Sequence, residues 1–227
     1  MREVLTLQKI TVRDVLTDLS FTVGESEWVL VVGDNGAGKT TLFNTILGNI
    51  LPDRGKVLIE GSDVTSLPPH SRASVMAHVF QDPTAGTVGH MTIRENLRLA
   101  SRRGKKRSYL RFPSRKRDEA YREQLSALRM NLEDRLDDYA GDLSGGQRQA
   151  LSIVLSLLTE SKIWLLDEIT AALDQKTSAT ILEVVRNTLR QRKQTCLMIT
   201  HNPQHIGQLG DRVLILKDGR VHEQDLR

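Results

Sequence analysis

Gly33-Asp34-Asn35-Gly36-Ala37-Gly38-Lys39-Thr40 spells G-x-x-x-x-G-K-[ST], the pattern that cradles the phosphates of a nucleotide where a strand meets a helix. Glycines let main-chain N–H groups come close to phosphate oxygens. The helix N-terminus adds positive potential and unpaired donors. Lys39 is expected to bridge the β- and γ-phosphates and the Thr40 hydroxyl to ligate Mg²⁺, with Thr41 completing the loop. A second candidate is Asp167-Glu168, which closes the apolar run Ile163-Trp164-Leu165-Leu166. Alone, two acids at a strand end read as solvated surface groups. Beside a phosphate loop they become the carboxylates that phosphoryl transfer needs, one near the metal and one polarising the attacking water. A third is Leu143-Ser144-Gly145-Gly146-Gln147, at the start of a helical pattern. It reads either as a generic helix cap or as an anion site.

The elements that must position these residues are legible in outline. Residues 4–23 mix short apolar segments with polar residues and predict antiparallel, edge-type strands. Trp28-Val29-Leu30-Val31-Val32 is a continuous apolar run ending at Gly33, as expected of a strand buried on both faces. A helix follows over 40–47, stopped by Gly48-Asn49, and a turn at Pro52-Asp53-Arg54-Gly55 leads into a strand over 56–59. Strand-like runs then vanish from about residue 83 to 142, where charged, helix-favouring residues dominate, as over 118–130. Beyond this the pattern alternates: helix 144–159, strand 163–166, helix 174–192, strand 196–200 and a final strand 212–216. Such alternation predicts an α/β fold with a mostly parallel sheet. The expected organisation is a single domain over 1–227. Residues 1–82 and 143–227 form the sheet core with its N-terminal β subdomain, and about 83–142 form an inserted helical subdomain.

The chain has 227 residues, enough for a full core. No apolar run approaches the ~20 residues that cross a bilayer. Met1-Arg2-Glu3-Val4 does not open a secretory signal, so a cytosolic start is expected. The single cysteine, Cys196, lies in the apolar run Thr195-Cys196-Leu197-Met198-Ile199 and reads as a small buried hydrophobe. The net charge of +4 is uneven: residues 102–117 hold nine Lys or Arg and no acid. That run fits a solvated face, a contact with anionic lipid headgroups or, with only Tyr109 and Phe112 as aromatics, a nucleic-acid contact.

The motifs together resemble those of the ABC (ATP-binding-cassette) ATPases, over nearly the whole chain and in family order. The resemblance implies a P-loop NTPase cassette with a RecA-like core, binding ATP and Mg²⁺ and hydrolysing ATP. It implies that Leu143-Ser144-Gly145-Gly146-Gln147 is the signature motif, which closes on the γ-phosphate held by a second subunit, so that the cassette works as a dimer, most simply a homodimer. Asp167 then associates with Mg²⁺ and Glu168 polarises the attacking water. Gln81, in Val79-Phe80-Gln81-Asp82-Pro83, matches the Q-loop residue that senses metal and water. His201 matches the switch histidine at the γ-phosphate. Asp174, in Ala171-Ala172-Leu173-Asp174, matches the D-loop aspartate that links the two sites. As lone residues, Gln81 and His201 would read as surface and structural groups.

Phe80-Gln81-Asp82-Pro83-Thr84-Ala85-Gly86-Thr87, Met91-Thr92-Ile93-Arg94-Glu95-Asn96-Leu97, Leu132-Glu133-Asp134-Arg135-Leu136 and the stretch following the signature are similar to a subgroup of importer ATPases. Those work beside a branched-chain-amino-acid-type permease and a substrate-binding protein. The implied function is a peripheral ATPase at the cytoplasmic face of the membrane, driving solute import with amino acids as plausible cargo and no nucleic-acid partner. An exporter ATPase, or a soluble ABC ATPase of DNA repair or translation, is the alternative reading. One departure stands out. The family commonly stacks adenine on an aromatic near the N-terminus, yet no aromatic precedes Phe21. Ile10, Thr11 or Val12 is expected there instead, with weakened selectivity for adenine.

Overall fold

The computed structural model describes residues 2–102, 115–171, 173–202 and 209–225. Most of the basic run at 102–117 lies outside them, as does Ala172. The chain forms two compact units. The first comprises Met1–His78, Ser161–Glu168 and Leu189–Arg227, and the second Val79–Glu160 and Ile169–Thr188.

The first unit opens with β1 (Glu3–Val12) and β2 (Leu16–Gly24), an antiparallel pair joined by a short turn. β3 (Trp28–Val32) leads through the phosphate loop into α1 (Lys39–Leu47). β4 (Arg54–Ile59), β5 (Ser62–Asp63) and α2 (Pro69–Arg72) follow, then β6 (Met76–Val79). β1, β2, β4 and β5 make a four-stranded sheet in the order β2-β1-β4-β5. Along β1 and β2 apolar side chains point inward at alternate positions, interrupted by bulges where the register shifts.

In the second unit, α3 (Pro83–Gly86), α4 (Ile93–Ala100) and α5 (Arg115–Ser126) all pack on α6 (Gly145–Leu157). α4 starts at a capping box, in which the Thr92 hydroxyl accepts from Glu95 N while the Glu95 carboxylate accepts from Thr92 N. Its Asn96 is buried, with its amide bonded to the carbonyls of Val88, Met91 and Thr92.

The remaining elements are β7 (Ile163–Asp167), α7 (Gln175–Gln191), β8 (Thr195–Ile199), β9 (Arg212–Lys217) and β10 (Arg220–Asp225). The second sheet has the order β10-β9-β3-β8-β7-β6. β9, β3, β8 and β7 run parallel, and β10 returns antiparallel to β9. This mixture of one antiparallel and one mostly parallel sheet is the α/β class expected from the sequence. β3, β7 and β8 are apolar almost throughout because both their faces are covered. Both sheets and the buried face of α1 (Leu42, Phe43, Ile46) share one core.

The expectation of a final strand at 212–216 needs correction, because β10 follows it. Val221-His222-Glu223-Gln224-Asp225 carries one apolar residue, which hides an edge strand from any test of hydrophobic periodicity. Cys196 is fully buried, and burial pushes its thiol up, away from ionisation.

Candidate functional site

Three strands bring the chemistry of the first unit together. Val31 of β3 pairs with Ile199 of β8, which pairs in turn with Asp167 of β7. One row of residues therefore crosses three parallel strands at their carboxyl ends, the edge at which open α/β sheets place their ligands. Each strand continues into a candidate residue. Gly33 comes two positions after Val31, Glu168 one after Asp167, and His201 two after Ile199.

The phosphate loop wraps into α1 through Gly38, which has φ +100° and would, with a Cβ, place it 2.9 Å from Leu16 Cδ2. Only glycine adopts that conformation without strain at so tight a contact. Asp34, Asn35 and Gly36 are exposed, while Gly33 and Ala37 are half-buried. Lys39 is buried, and its Nζ donates to the carbonyls of Gly33 and Asp34 at 2.8 and 2.9 Å. The ammonium is thus held over the loop. Thr40 is exposed and Thr41 half-buried on the first turn of α1.

Asp167 is half-buried, and burial pushes its carboxyl up to about 6. The neighbouring Glu168 charge acts in the same direction, while Lys39 and His201 oppose it. Glu168 takes φ +45°, a left-handed conformation that is costly for a non-glycine residue and clusters at functional sites. Its amide donates to Ile199 O at 3.1 Å, and its Oε1 lies 2.6 Å from His201 Nε2.

The other sequence candidates belong to the second unit. Gln81 is exposed two residues beyond the end of β6, and Asp82 beside it caps α3 by accepting from Thr84 N. Ser144 caps α6, its hydroxyl accepting from Gln147 N at 3.3 Å while Gln147 Oε1 accepts from Ser144 N. A Cβ on Gly145 would meet nothing within 4 Å, and one on Gly146 would lie 3.2 Å from Leu173 Cδ2. Asp174 caps α7, accepting from Thr177 N at 3.0 Å. A hydrogen bond from the Thr177 side chain, and then that one from its amide, hold the Asp174 carboxyl below the ordinary range.

Two details depart from the sequence reading. Ile10 and Val12 are core residues, and Thr11 pairs with Arg54 of β4. The exposed apolar side chain against the phosphate loop is Val15, whose Cγ1 would lie 3.1 Å from a Cβ on Gly38. Its only sequence signal is an apolar residue in the turn between two strands.

Among the described residues no group of three or more His, Cys, Asp and Glu converges as a metal cage. The Thr40 hydroxyl and the Asp167 carboxylate instead offer a few hard oxygen donors. This suits Mg²⁺, which takes most of its ligands from phosphate and water.

The sequence pattern of the ABC transporter family matches residues 16–171. The chain is 40% identical over 207 residues to the tyrosine transport ATP-binding protein of Clostridioides difficile (strain R20291), covering 91% of this chain and 82% of that one. It is 33% identical over 204 residues to the thiamine import ATP-binding protein ThiQ of Shigella flexneri serotype 5b, covering 89% and 82%. Its fold matches a dimeric ATP-binding cassette in a post-hydrolysis state bound to ADP and Pi, with TM-score 0.83 and 26% identity over 98% of this chain and 99% of that one. With a nucleotide-type loop and two carboxylates aligned on one sheet edge, the chain belongs to the ABC transporter family and is one of its ATP-hydrolysing cassettes.

Proposed function

We propose that this ATPase drives solute import through a separate membrane permease, closing as a dimer on ATP and reopening after hydrolysis. The carrying observation is the row Val31–Ile199–Asp167, which sets the phosphate loop, Asp167, Glu168 and His201 on one edge. In this reading the amides of residues 33–38, with Lys39, Thr40 and Thr41, hold the phosphates of ATP. Thr40, Asp167 and Gln81 would hold Mg²⁺, which when bound would supply positive charge against the transferring phosphoryl group. Glu168 accepts the proton of the attacking water, and His201 orients that carboxylate and meets the γ-phosphate. Ser144, Gly145, Gly146 and Gln147 of a second copy cover the same phosphate, and Asp174 ties the two sites together.

Import is supported by relatives named for tyrosine transport and thiamine import. The tyrosine name at 40% identity favours an amino acid as cargo, delivered by a substrate-binding protein to a permease of the branched-chain-amino-acid type. No described helix is long and apolar enough to cross a membrane, which is compatible with a peripheral subunit at the cytoplasmic face. The test is a pull-down of tagged chain from detergent-solubilised membranes of its host, read by mass spectrometry. A polytopic permease should be recovered. Recovery of soluble or nucleic-acid-associated proteins alone would move the ATPase off the membrane.

A further inference from the structure

Residues 80–87 form a short strap that contains Gln81 and α3 and lies along α6. Two side chains of α6 fasten it. Gln149, buried, donates from Nε2 to the carbonyl of Phe80 at 3.2 Å. Arg148 donates from Nε to the Thr87 hydroxyl at 2.7 Å, and that buried hydroxyl donates onward to Pro83 O at 3.0 Å. Between these ties the strap touches the helix directly. A Cβ on Gly86 would fall 2.1 Å from Ser152 Oγ, so only glycine permits this approach.

Arg148 faces both ways. Its side chain holds the strap at Thr87, while its main-chain N–H donates to the Ser144 carbonyl at 2.8 Å, in the first turn of α6. One residue therefore connects the end of the strap to the residue that caps the signature helix. A helix transmits displacement along its axis because its turns are hydrogen-bonded to one another, whereas a bond to a hydroxyl has a direction that plain apolar packing lacks.

We infer that Arg148 and Thr87 are positioning residues that couple the strap at 80–87 to the signature Ser144–Gly146, so that movement of either moves the other. This deepens the clamp reading and rests on it. Neither residue is required to touch nucleotide.

The test uses the full chain carrying Glu168→Gln to block turnover and Ala85→Cys to take an environment-sensitive fluorophore. Ala85 is exposed, while the native Cys196 is fully buried, so labelling is specific to the strap. Mg-ATP should form a dimer, seen by size exclusion, and change the strap fluorescence. Adding Thr87→Val, which keeps the shape and removes the hydroxyl, should abolish the fluorescence change while dimer formation and ATP binding persist. Thr87→Ser, which keeps the hydroxyl and loses the methyl, should restore it. Arg148→Met should match Thr87→Val, and the two together should add nothing further. A packing role alone would give the opposite order for Val and Ser. A full fluorescence change in Thr87→Val and Arg148→Met overturns the coupling. If the parent forms no ATP-dependent dimer, the clamp itself fails and the coupling falls with it.

Discussion

His201 Nε2 lies 2.6 Å from Glu168 Oε1, across the ends of the neighbouring parallel strands β8 and β7. The side chain of Glu168 is 17% exposed and that of His201 is 42% exposed, so the contact sits at the mouth of the site. Glu168 holds this position from a left-handed backbone conformation, which only a surrounding structure can enforce.

Replacing Glu168 by Gln keeps the shape and a hydrogen-bonding oxygen but removes the base. Turnover should fall about a hundredfold or more, the range expected for a lost general base, while ATP binding persists. Phosphate release, together with size exclusion in ATP, checks this, and normal turnover would remove Glu168 from the proposed chemistry.

The loop glycines separate strain from space. Gly38→Ala meets both a positive φ and the Leu16 methyl. It should cost about 1–3 kcal/mol and abolish ATP binding. Gly36 has φ +83° but open space around a Cβ. Gly36→Ala should cost only the backbone term, about 1 kcal/mol. Urea unfolding of both variants measures the difference.

Arg72 is 1% exposed. Its guanidinium donates to four main-chain carbonyls, those of Leu67, Thr45, Ile46 and Thr65, and so closes the carboxyl end of the phosphate-loop helix. Burial lowers its pKa, yet the carbonyls and the helix dipole favour the cation. Arg72→Leu should destabilise the protein by about 2–4 kcal/mol, because it strands buried acceptors. Arg72→Lys should recover little of this, since an ammonium cannot reproduce the planar fork. Thermal unfolding of the two variants decides the matter.

The capping box of α4 has a pH signature. Hydrogen bonds from the Thr92 amide, then from its hydroxyl, hold Glu95 below its ordinary value of 4.5. A carboxylate depressed in the folded state adds stability above its unfolded pKa and loses it as pH falls through the folded one. Glu95→Gln should therefore flatten the acid limb of the stability curve below pH 4.5 and leave its neutral-pH slope unchanged. Unfolding midpoints in parallel buffers give the comparison.

Val15, rather than an aromatic, stands against the phosphate loop. The protein should use ATP and GTP with efficiencies within about tenfold, since it lacks the stacking energy of an aromatic pair. Val15→Tyr should raise the preference for ATP. Steady-state kinetics with both nucleotides would show otherwise if the parent strongly favoured ATP.

Local signals made much of this molecule readable. The run 28–32 followed by a glycine-rich loop predicts a strand, a turn and a helix, and β3 and α1 stand there because each signal acts within a few residues. The helix at 145–157 is announced by Ser144 and Gln147 in the same way. The capping box at Thr92 and Glu95 is equally local, yet the bounds of α4 are hidden inside the stretch 83–142, where the composition predicts helices only as a group. β10 is hidden for a different reason, because an exposed edge strand needs no apolar face.

By itself, the sequence determined the chemistry available: a phosphate loop, two acids at a strand end, a histidine after another strand and a glycine-rich helix start. Tertiary structure decided which of these meet. The row Val31–Ile199–Asp167 joins residues far apart in the chain through the pairing of β3, β8 and β7, and a slip of one residue would turn every side chain to the other face. The 2.6 Å contact of His201 with Glu168 follows from that register. Packing over the whole core sets it, and no short stretch of sequence carries that information.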